Sequence, residues 1–215
     1  MTTMGMVKAG LTTTGVAVLV AAGALVTGAG AQTMAPMKAP QAGQMAPMMM
    51  NGQTPAVGQK APDFTLTSLD GARVRLVEEV ARGPVVLVVL RGFPTYQCPF
   101  CTRQFGDYLA HGGDFDSSGA RVLFVYPGPA EGLNEHAKAL VAERPLPASY
   151  RILMDPDYAF TLAYNLRWDA PKETAYPSTF VIDRKGTVAF ARTSRAHGDR
   201  VPAADVLQAL AALPR

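Results

Sequence analysis

Uninterrupted apolar runs mark the buried strands of this chain. Residues 84–90 read PVVLVVL and residues 121–126 read RVLFVY. Runs of this length, rich in β-branched residues, are typical of strands that are covered on both faces. A third, shorter strand is predicted at residues 150–154, where the sequence is YRILM.

Two other stretches alternate apolar and polar residues on either side of a turn. Residues 63–69 alternate, reach Asp70-Gly71 and continue at residues 73–76. Residues 178–183 and 187–191 flank an Arg-Lys-Gly turn in the same way. Alternation around such turns predicts two β-hairpins.

Apolar positions with helical spacing fill the segments between the strands. The predicted helices span residues 99–110, 131–143, 157–166 and 203–213. Alternating strands and helices with buried parallel strands predict an α/β domain. Its central sheet should be mixed, flanked by helices, and extended by the N-terminal hairpin.

The start of the chain is built differently from the rest. No Asp or Glu precedes Asp63, so residues 57–215 are predicted to form the folded domain. Residues 1–31 combine a basic Lys8, an apolar middle and a small-residue Ala-Gly-Ala end, which are the parts of a secretory signal peptide. We therefore expect a periplasmic or secreted protein. If the signal stays uncleaved, the same apolar stretch would tether the domain to a membrane.

Residues 32–56 predict a disordered Met- and Pro-rich tether, because Pro, Gly, Gln and Ala dominate and no aromatic residue occurs. Six methionines lie in this segment: Met34, Met37, Met45, Met48, Met49 and Met50. Thioethers are soft ligands that suit Cu(I), so a copper-handling module is an alternative function. The competing interpretation is that methionine is simply a tolerated linker residue.

Charge and cysteine content exclude several function classes. The chain carries 20 Lys+Arg against 17 Asp+Glu, a net charge of +3, and its basic residues are scattered. No nucleic-acid partner is therefore expected. Two cysteines cannot build a disulfide-rich scaffold or a four-thiolate zinc site.

The two cysteines lie in Cys98-Pro99-Phe100-Cys101, where a predicted buried strand passes into a predicted helix. A helix start offers unpaired N–H groups and the positive end of the helix dipole, and both stabilise a thiolate. Pro99 suits the first helical position, because proline has no N–H to leave unsatisfied. A redox-active pair is favoured over two structural cysteines.

From about Val57 to Leu213 the chain resembles the thioredoxin superfamily and, within it, the peroxiredoxin-like (alkyl hydroperoxide reductase/thiol-specific antioxidant) branch. Three stretches carry the resemblance: GQKAPDFTL at 58–66 with Asp70-Gly71, PTYQCPFCT at 94–102, and PSTFVID at 177–183 with Gly186. The resemblance implies a thioredoxin-like fold in which the cysteine loop faces the loop of Pro177. It also implies that Pro177 follows a cis bond and helps to dock the substrate chain.

The peroxiredoxin pattern Pro-x-x-x-Thr/Ser-x-x-Cys fits this chain in two registers. With Cys101 as the peroxidatic residue, Pro94 is in place but Cys98 occupies the hydroxyl position. With Cys98 as the peroxidatic residue, Thr95 fits but Arg91 replaces the proline. We prefer the first register.

The supporting residues implied by the resemblance are Pro94, Pro99, Thr102 and Pro177. Pro99 and Thr102 match common neighbours of the peroxidatic cysteine. Pro177 departs from the pattern, because typical peroxiredoxins place there an arginine that holds the peroxide and the thiolate. Arg91 or Arg192 is a candidate to replace that arginine in space.

Two mechanisms use the same cysteine pair. In thiol–disulfide exchange, which we favour, Cys98 is an exposed nucleophile at the helix start and Cys101 resolves the mixed disulfide. In peroxide reduction, Cys101 becomes a sulfenic acid and Cys98 resolves it. Neither mechanism needs a bound organic cofactor. Both need a dithiol partner protein as electron donor or acceptor, and the substrate is a protein disulfide or a peroxide.

Three other candidate positions are interpreted as structural. Asp155-Pro156-Asp157 is predicted to serve turn and helix-cap chemistry. His197 is expected in a solvated loop, with a place at the active-site rim as the alternative. Trp168 is expected to pack against its neighbours.

Overall fold

The computed structural model describes residues 54–214, and a seven-stranded mixed sheet lies at its centre. The predicted signal peptide, nearly all of the tether and the six methionines lie outside the described residues. The strands are β1 (Thr65–Ser68), β2 (Arg73–Arg75), β3 (Val85–Val89), β4 (Arg121–Gly128), β5 (Tyr150–Pro156), β6 (Ser178–Ile182) and β7 (Val188–Thr193).

The strand order across the sheet is β2-β1-β5-β4-β3-β6-β7. The central pairs β3–β4 and β4–β5 are parallel, and the two hairpins β1–β2 and β6–β7 add antiparallel strands at the edges. The predicted α/β class, the mixed sheet and the N-terminal hairpin extension are therefore confirmed.

Six helices accompany the sheet in the described part of the chain. They are α1 (Leu76–Arg82), α2 (Pro99–Ala110), α3 (Gly112–Ser118), α4 (Leu133–Val141), α5 (Ala159–Ala163) and α6 (Ala203–Ala211). None of the helices in residues 54–214 has both the length and the apolar character needed to cross a membrane.

Helices α1 and α3 are absent from the sequence-based prediction. The hairpin strand predicted to reach residue 76 ends at Arg75, because the Asp63 carboxylate accepts a hydrogen bond from the Val77 backbone N–H (3.2 Å) and begins the helix there. Helix α3 has a poor helical sequence, and the fully buried Phe115, stacked on Tyr108 at 5.5 Å, holds it on the core. Tertiary contacts decide both elements.

Two predicted helices are shorter than their apolar pattern suggested. Helix α4 ends at Val141 because Ala142 and Glu143 adopt positive φ angles. Helix α5 begins only at Ala159 because Asp157 and Tyr158 also have positive φ. These left-handed residues turn the chain at positions that apolar spacing does not mark.

Strand β3 supplies the core on both sides of the sheet. Val86 and Val88 join the apolar cluster that contains Cys98 and Cys101, whereas Leu87 and its alternate neighbours join a second cluster on the opposite face. All five residues of β3 are buried, as the uninterrupted apolar run predicted. The strand is therefore a rigid support for the loop that follows it.

Gly92 allows that loop to cross closely over β4. Its φ is +69°, and a Cβ atom there would fall on the carbonyl oxygen of Pro127. The neighbouring Phe93 N–H donates to the same carbonyl over 3.3 Å. The loop before the cysteines therefore requires glycine at residue 92.

We expect Gly92→Ala to lower the free energy of unfolding by about 3 kcal/mol, because the left-handed conformation and the clash with backbone both oppose a side chain. Gly186→Ala is the matched control, since Gly186 also has positive φ (+76°) but open space around its Cβ position. It should cost about 1 kcal/mol. Urea unfolding of the reduced protein measures both, and equal losses would contradict the role of the close approach.

Candidate active site

The two cysteines lie at the start of α2, beyond the carboxyl end of β3. Cys98 is the residue before the first helical turn and has extended backbone angles (φ −67°, ψ 116°), and Pro99 occupies the first turn. The Thr102 N–H and hydroxyl both point to the Cys98 carbonyl, at 3.1 and 3.3 Å. The strand-to-helix position predicted for the pair is what the structure shows.

Neither cysteine forms a disulfide, and both are buried. Cys98 is 1% exposed and Cys101 is 0% exposed. The expectation of an exposed Cys98 is therefore wrong. The side chain belongs to the apolar cluster between the sheet and the helices, with Phe93 and Phe100 packed at its edge, because the loop before it folds back over β4.

The two thiols have opposite acidities. The pKa of Cys98 is lowered from 9.0 to about 5, and the main cause is a hydrogen bond from the Cys101 thiol. Burial opposes this shift. The N–H groups of Cys101 and Phe100 and the positive charge of Arg200 lower the pKa further. The pKa of Cys101 is raised well above 9, first by that same hydrogen bond and then by burial and the charge of Cys98. The contact between the two sulfurs therefore favours the negative charge on Cys98 and the proton on Cys101.

Arg200 is the guanidinium nearest to the thiols. Its Nη2 lies 4.0 Å from Cys101 Sγ, and its buried Nε has no hydrogen-bond partner among the described residues. Sequence reasoning missed this residue, because a lone arginine in a charged loop 99 positions from Cys101 carries no spacing signal.

Arg91 and Arg192, the two predicted substitutes for the peroxiredoxin arginine, are occupied elsewhere. The guanidinium of Arg91 is 2% exposed and pairs with Glu173 (Nε to Oε2, 2.6 Å). Arg192 pairs with Asp199 at 3.3 Å on the exposed surface. Arg91 reaches the site only through its backbone, which forms a hydrogen bond that lowers the pKa of Cys101.

An open cleft of about 430 Å³ runs along α2, and neither cysteine is among the residues that line it. Phe100, Arg103, Gln104 and Arg200 line it. Gln104 is 5% exposed, and its Oε1 has no hydrogen-bond partner among the described residues. The lining of the cleft therefore combines an aromatic ring, two guanidinium groups and the Asp107 carboxylate.

The supporting residues taken from the resemblance do not line this cleft. Pro177 is buried and lines a small neighbouring cavity together with Gln104 and Arg200. Pro94 is half-buried in the loop before Cys98, whereas Pro99 and Thr102 are exposed on α2. The isomer of the Tyr176–Pro177 bond stays a prediction.

The residues expected to be structural have structural contacts. Asp155 accepts from the N–H groups of Phe160 and Thr161 at 2.7 and 3.1 Å, which is the predicted helix-cap chemistry. Trp168 stacks on Tyr176 with ring centres 4.8 Å apart. His197 is not freely solvated, because its Nε2 lies 2.9 Å from Glu173 Oε1.

A mixed sheet with parallel central strands and a Cys-x-x-Cys pair at the strand-to-helix junction defines a thioredoxin-like domain with a dithiol centre. Residues 57–191 match the model of the AhpC/TSA family, and the chain belongs to that family. It is an oxidoreductase. Among residues 54–214, no three His, Cys, Asp or Glu side chains lie together as metal ligands would.

Relatives of the chain are named as peroxiredoxins. It is 31% identical over 140 residues to the Mycobacterium tuberculosis peroxiredoxin Rv2521, a match that covers 63% of this chain and 83% of that protein. It is 33% identical over 75 residues to the Helicobacter pylori peroxiredoxin bcp, over 35% of this chain and 47% of that protein.

Solved structures with the same fold are also peroxiredoxins. Peroxidoxin BcpB from Mycobacterium tuberculosis superimposes with a TM-score of 0.59 at 21% identity, over 75% of this chain and 99% of that chain. The yeast mitochondrial 1-Cys peroxiredoxin gives a TM-score of 0.60 at 17% identity, over 73% and 75% of the two chains. At these identities the likeness concerns the fold.

We expect the alkylation rate of the reduced protein by iodoacetamide to follow an apparent pKa near 5, because the Cys98 thiolate is the reactive form and Cys101 stays protonated. Reactivity should be full at neutral pH and should fall as the pH drops through about 5. Cys101→Ala should move the midpoint upward, since it removes the main stabilising hydrogen bond. Cys98→Ser is the control, and unchanged alkylation in that variant would show that Cys101 is the reactive sulfur.

Proposed function

We propose that the chain is a thiol–disulfide oxidoreductase in which Cys98 is the nucleophile and Cys101 is the resolving cysteine. The observation that carries the proposal is the placement of the two sulfurs at the start of α2. Cys98 is the residue before the first turn and lies within hydrogen-bonding reach of the Cys101 thiol, and that contact lowers the pKa of Cys98 and raises the pKa of Cys101. An attacking thiolate and a protonated resolving thiol are what the exchange reaction needs.

The exchange proceeds in two displacements. The Cys98 thiolate attacks one sulfur of a substrate disulfide, forms a mixed disulfide and releases the other substrate sulfur as a thiolate, which takes up a proton. Cys101 then loses its proton and attacks the Cys98 sulfur, which breaks the mixed disulfide and releases the second substrate sulfur as a thiolate that takes up a proton. The products are the Cys98–Cys101 disulfide and a substrate dithiol, and a partner dithiol protein returns the two electrons to the enzyme.

Peroxide reduction is the second candidate, and separate observations favour it. The chain belongs to the AhpC/TSA family, relatives are named as peroxiredoxins, and the Arg200 guanidinium lies beside Cys101 at 4.0 Å. In this mechanism Cys101 must reach its thiolate form and attack the hydroperoxide oxygen. It becomes a sulfenic acid while the alcohol or water leaves, and Cys98 condenses with it, releasing water and forming the same disulfide.

Export from the cytoplasm is part of the proposal. The support is the basic, apolar and Ala-Gly-Ala pattern of residues 1–31, followed by the predicted tether at 32–56. The copper-handling alternative stays a prediction, since its six methionines lie outside the described residues.

Two measurements on the reduced protein separate the candidates. We expect Cys101→Ser to accumulate a mixed disulfide through Cys98 with a disulfide substrate, because the resolving thiol is missing. We also expect slow oxidation by hydrogen peroxide in stopped flow for wild type, Cys98→Ser and Cys101→Ser.

Fast sulfenic acid formation that survives Cys98→Ser and disappears in Cys101→Ser would overturn exchange in favour of the peroxidase. The double variant C98S/C101S is the background control for both assays. Mass spectrometry of the trapped species identifies the sulfur involved.

A further inference from the structure

Glu173 lies where three segments around the cysteine pair meet. Its Oε2 accepts from Arg91 Nε at 2.6 Å and its Oε1 lies 2.9 Å from His197 Nε2. Arg91 belongs to the loop that leads to Cys98, and His197 belongs to the segment that carries Arg200. The Glu173 side chain is 11% exposed, so it makes these contacts away from bulk water.

Arg91 makes several hydrogen bonds in addition to its ion pair with Glu173. Besides Glu173, the buried guanidinium donates to the Tyr96 hydroxyl (3.0 Å) and to the Lys172 carbonyl (2.7 Å). The Thr174 hydroxyl in turn donates to the Arg91 carbonyl. A buried arginine held by four partners fixes the path of the loop ahead of Cys98.

The Arg200 segment, residues 195–200, has no regular secondary structure, and hydrogen bonds anchor the residues on either side of it. Before it, the Ser194 N–H donates to the Pro177 carbonyl over 2.8 Å. After it, the Val201 carbonyl accepts from the buried Tyr108 hydroxyl over 3.3 Å. The path of the segment between these points depends on side chains.

One ion pair and one histidine–carboxylate hydrogen bond hold the middle of the segment. The Arg192–Asp199 pair is 3.3 Å long, with its side chains 60% and 43% exposed. Exposed pairs of this kind stabilise little. The His197–Glu173 contact is shorter, partly buried, and reinforced by the ring of His197 lying 5.1 Å from Trp168. It is the stronger anchor of the segment.

We propose that Glu173 is a positioning residue for the cysteine pair. By accepting from Arg91 and His197 together, it holds the loop before Cys98 and the Arg200 segment in fixed relation, and so keeps the Arg200 guanidinium beside the sulfurs. The inference deepens the proposed function and rests on Cys98 and Cys101 being the redox centre. Its consequence is a thiolate whose stability depends on a carboxylate that touches neither cysteine.

The test is a double-mutant cycle with the Cys98 thiolate as its readout. The apparent pKa of Cys98 in the reduced full chain is measured from the pH dependence of alkylation and of thiolate absorbance. Arg200→Met should raise this pKa and slow alkylation roughly two- to tenfold at acidic pH, since a cation beside the sulfur is lost. Glu173→Gln and His197→Ala should produce shifts in the same direction and no larger.

The decisive comparison is made in the Arg200→Met background. There, Glu173→Gln and His197→Ala should shift the Cys98 pKa no further, because both act through Arg200. With Arg200 intact, the single variant His197→Gln, which keeps an N–H donor, should have the wild-type value. Additive shifts, or no shift in either single variant, would overturn the proposal.

Glu79→Gln is the matched control for general loss of stability. Glu79 is 3% exposed and bridges Arg82 and Arg121 at 2.7 and 2.8 Å, on α1 and away from the cysteines. The Glu79→Gln variant should unfold more easily than the wild type, and its Cys98 pKa should be unchanged. A shift in Glu79→Gln equal to that in Glu173→Gln would attribute the effect to destabilisation and overturn the positioning role.

The failure of the proposed function would look different. If the Cys98→Ser and Cys101→Ser variants keep the redox turnover of the wild type, the cysteine pair is not the redox centre. If turnover requires both cysteines and the cycle is additive, only the role of Glu173 is wrong.

Discussion

A negative sulfur inside an apolar cluster is the constraint around which this site is organised. Transfer of a charged group out of water is unfavourable, so a buried thiolate persists only where donors and positive charge surround it. Cys98 meets that requirement at the start of α2, where the Cys101 thiol and nearby N–H groups point at its sulfur. The burial of both cysteines in the core cluster makes each of these contacts stronger than it would be in water.

In the proposed exchange reaction the two cysteines have unequal tasks although they are three residues apart. The hydrogen bond that stabilises the Cys98 thiolate also keeps the proton on Cys101, so the second sulfur becomes a nucleophile only after the first has reacted. The peroxidase alternative requires the proton to move from Cys101 to Cys98. Arg200 lowers the pKa of both thiols, so its charge supports a thiolate on either sulfur.

The surroundings of the pair depart from the usual peroxiredoxin pattern in a consistent way. Proline stands at residue 177 where arginine is typical, and cysteine stands at residue 98 where a hydroxyl is typical. The structure brings a guanidinium to the thiols from residue 200 instead, beyond the last strand. Arg91 has a structural role, because its side chain forms an ion pair with Glu173 and a hydrogen bond with the Lys172 carbonyl in the neighbouring loop. Both buried charges of that pair are compensated, as an apolar environment demands.

The sequence by itself determined the layered α/β domain, the buried strand that ends at the active site and the cysteine pair at the start of a helix. These features follow from periodicity, turn chemistry and spacing within about a dozen residues, which local sequence encodes directly. The tertiary structure alone decided the helices α1 and α3, the burial of Cys98 and the places of Glu173 and Arg200. Glu173 meets Arg91 across 82 positions and Arg200 meets Cys101 across 99. Contacts over such separations depend on how the loops cross at the edge of the sheet, and no local pattern records that crossing.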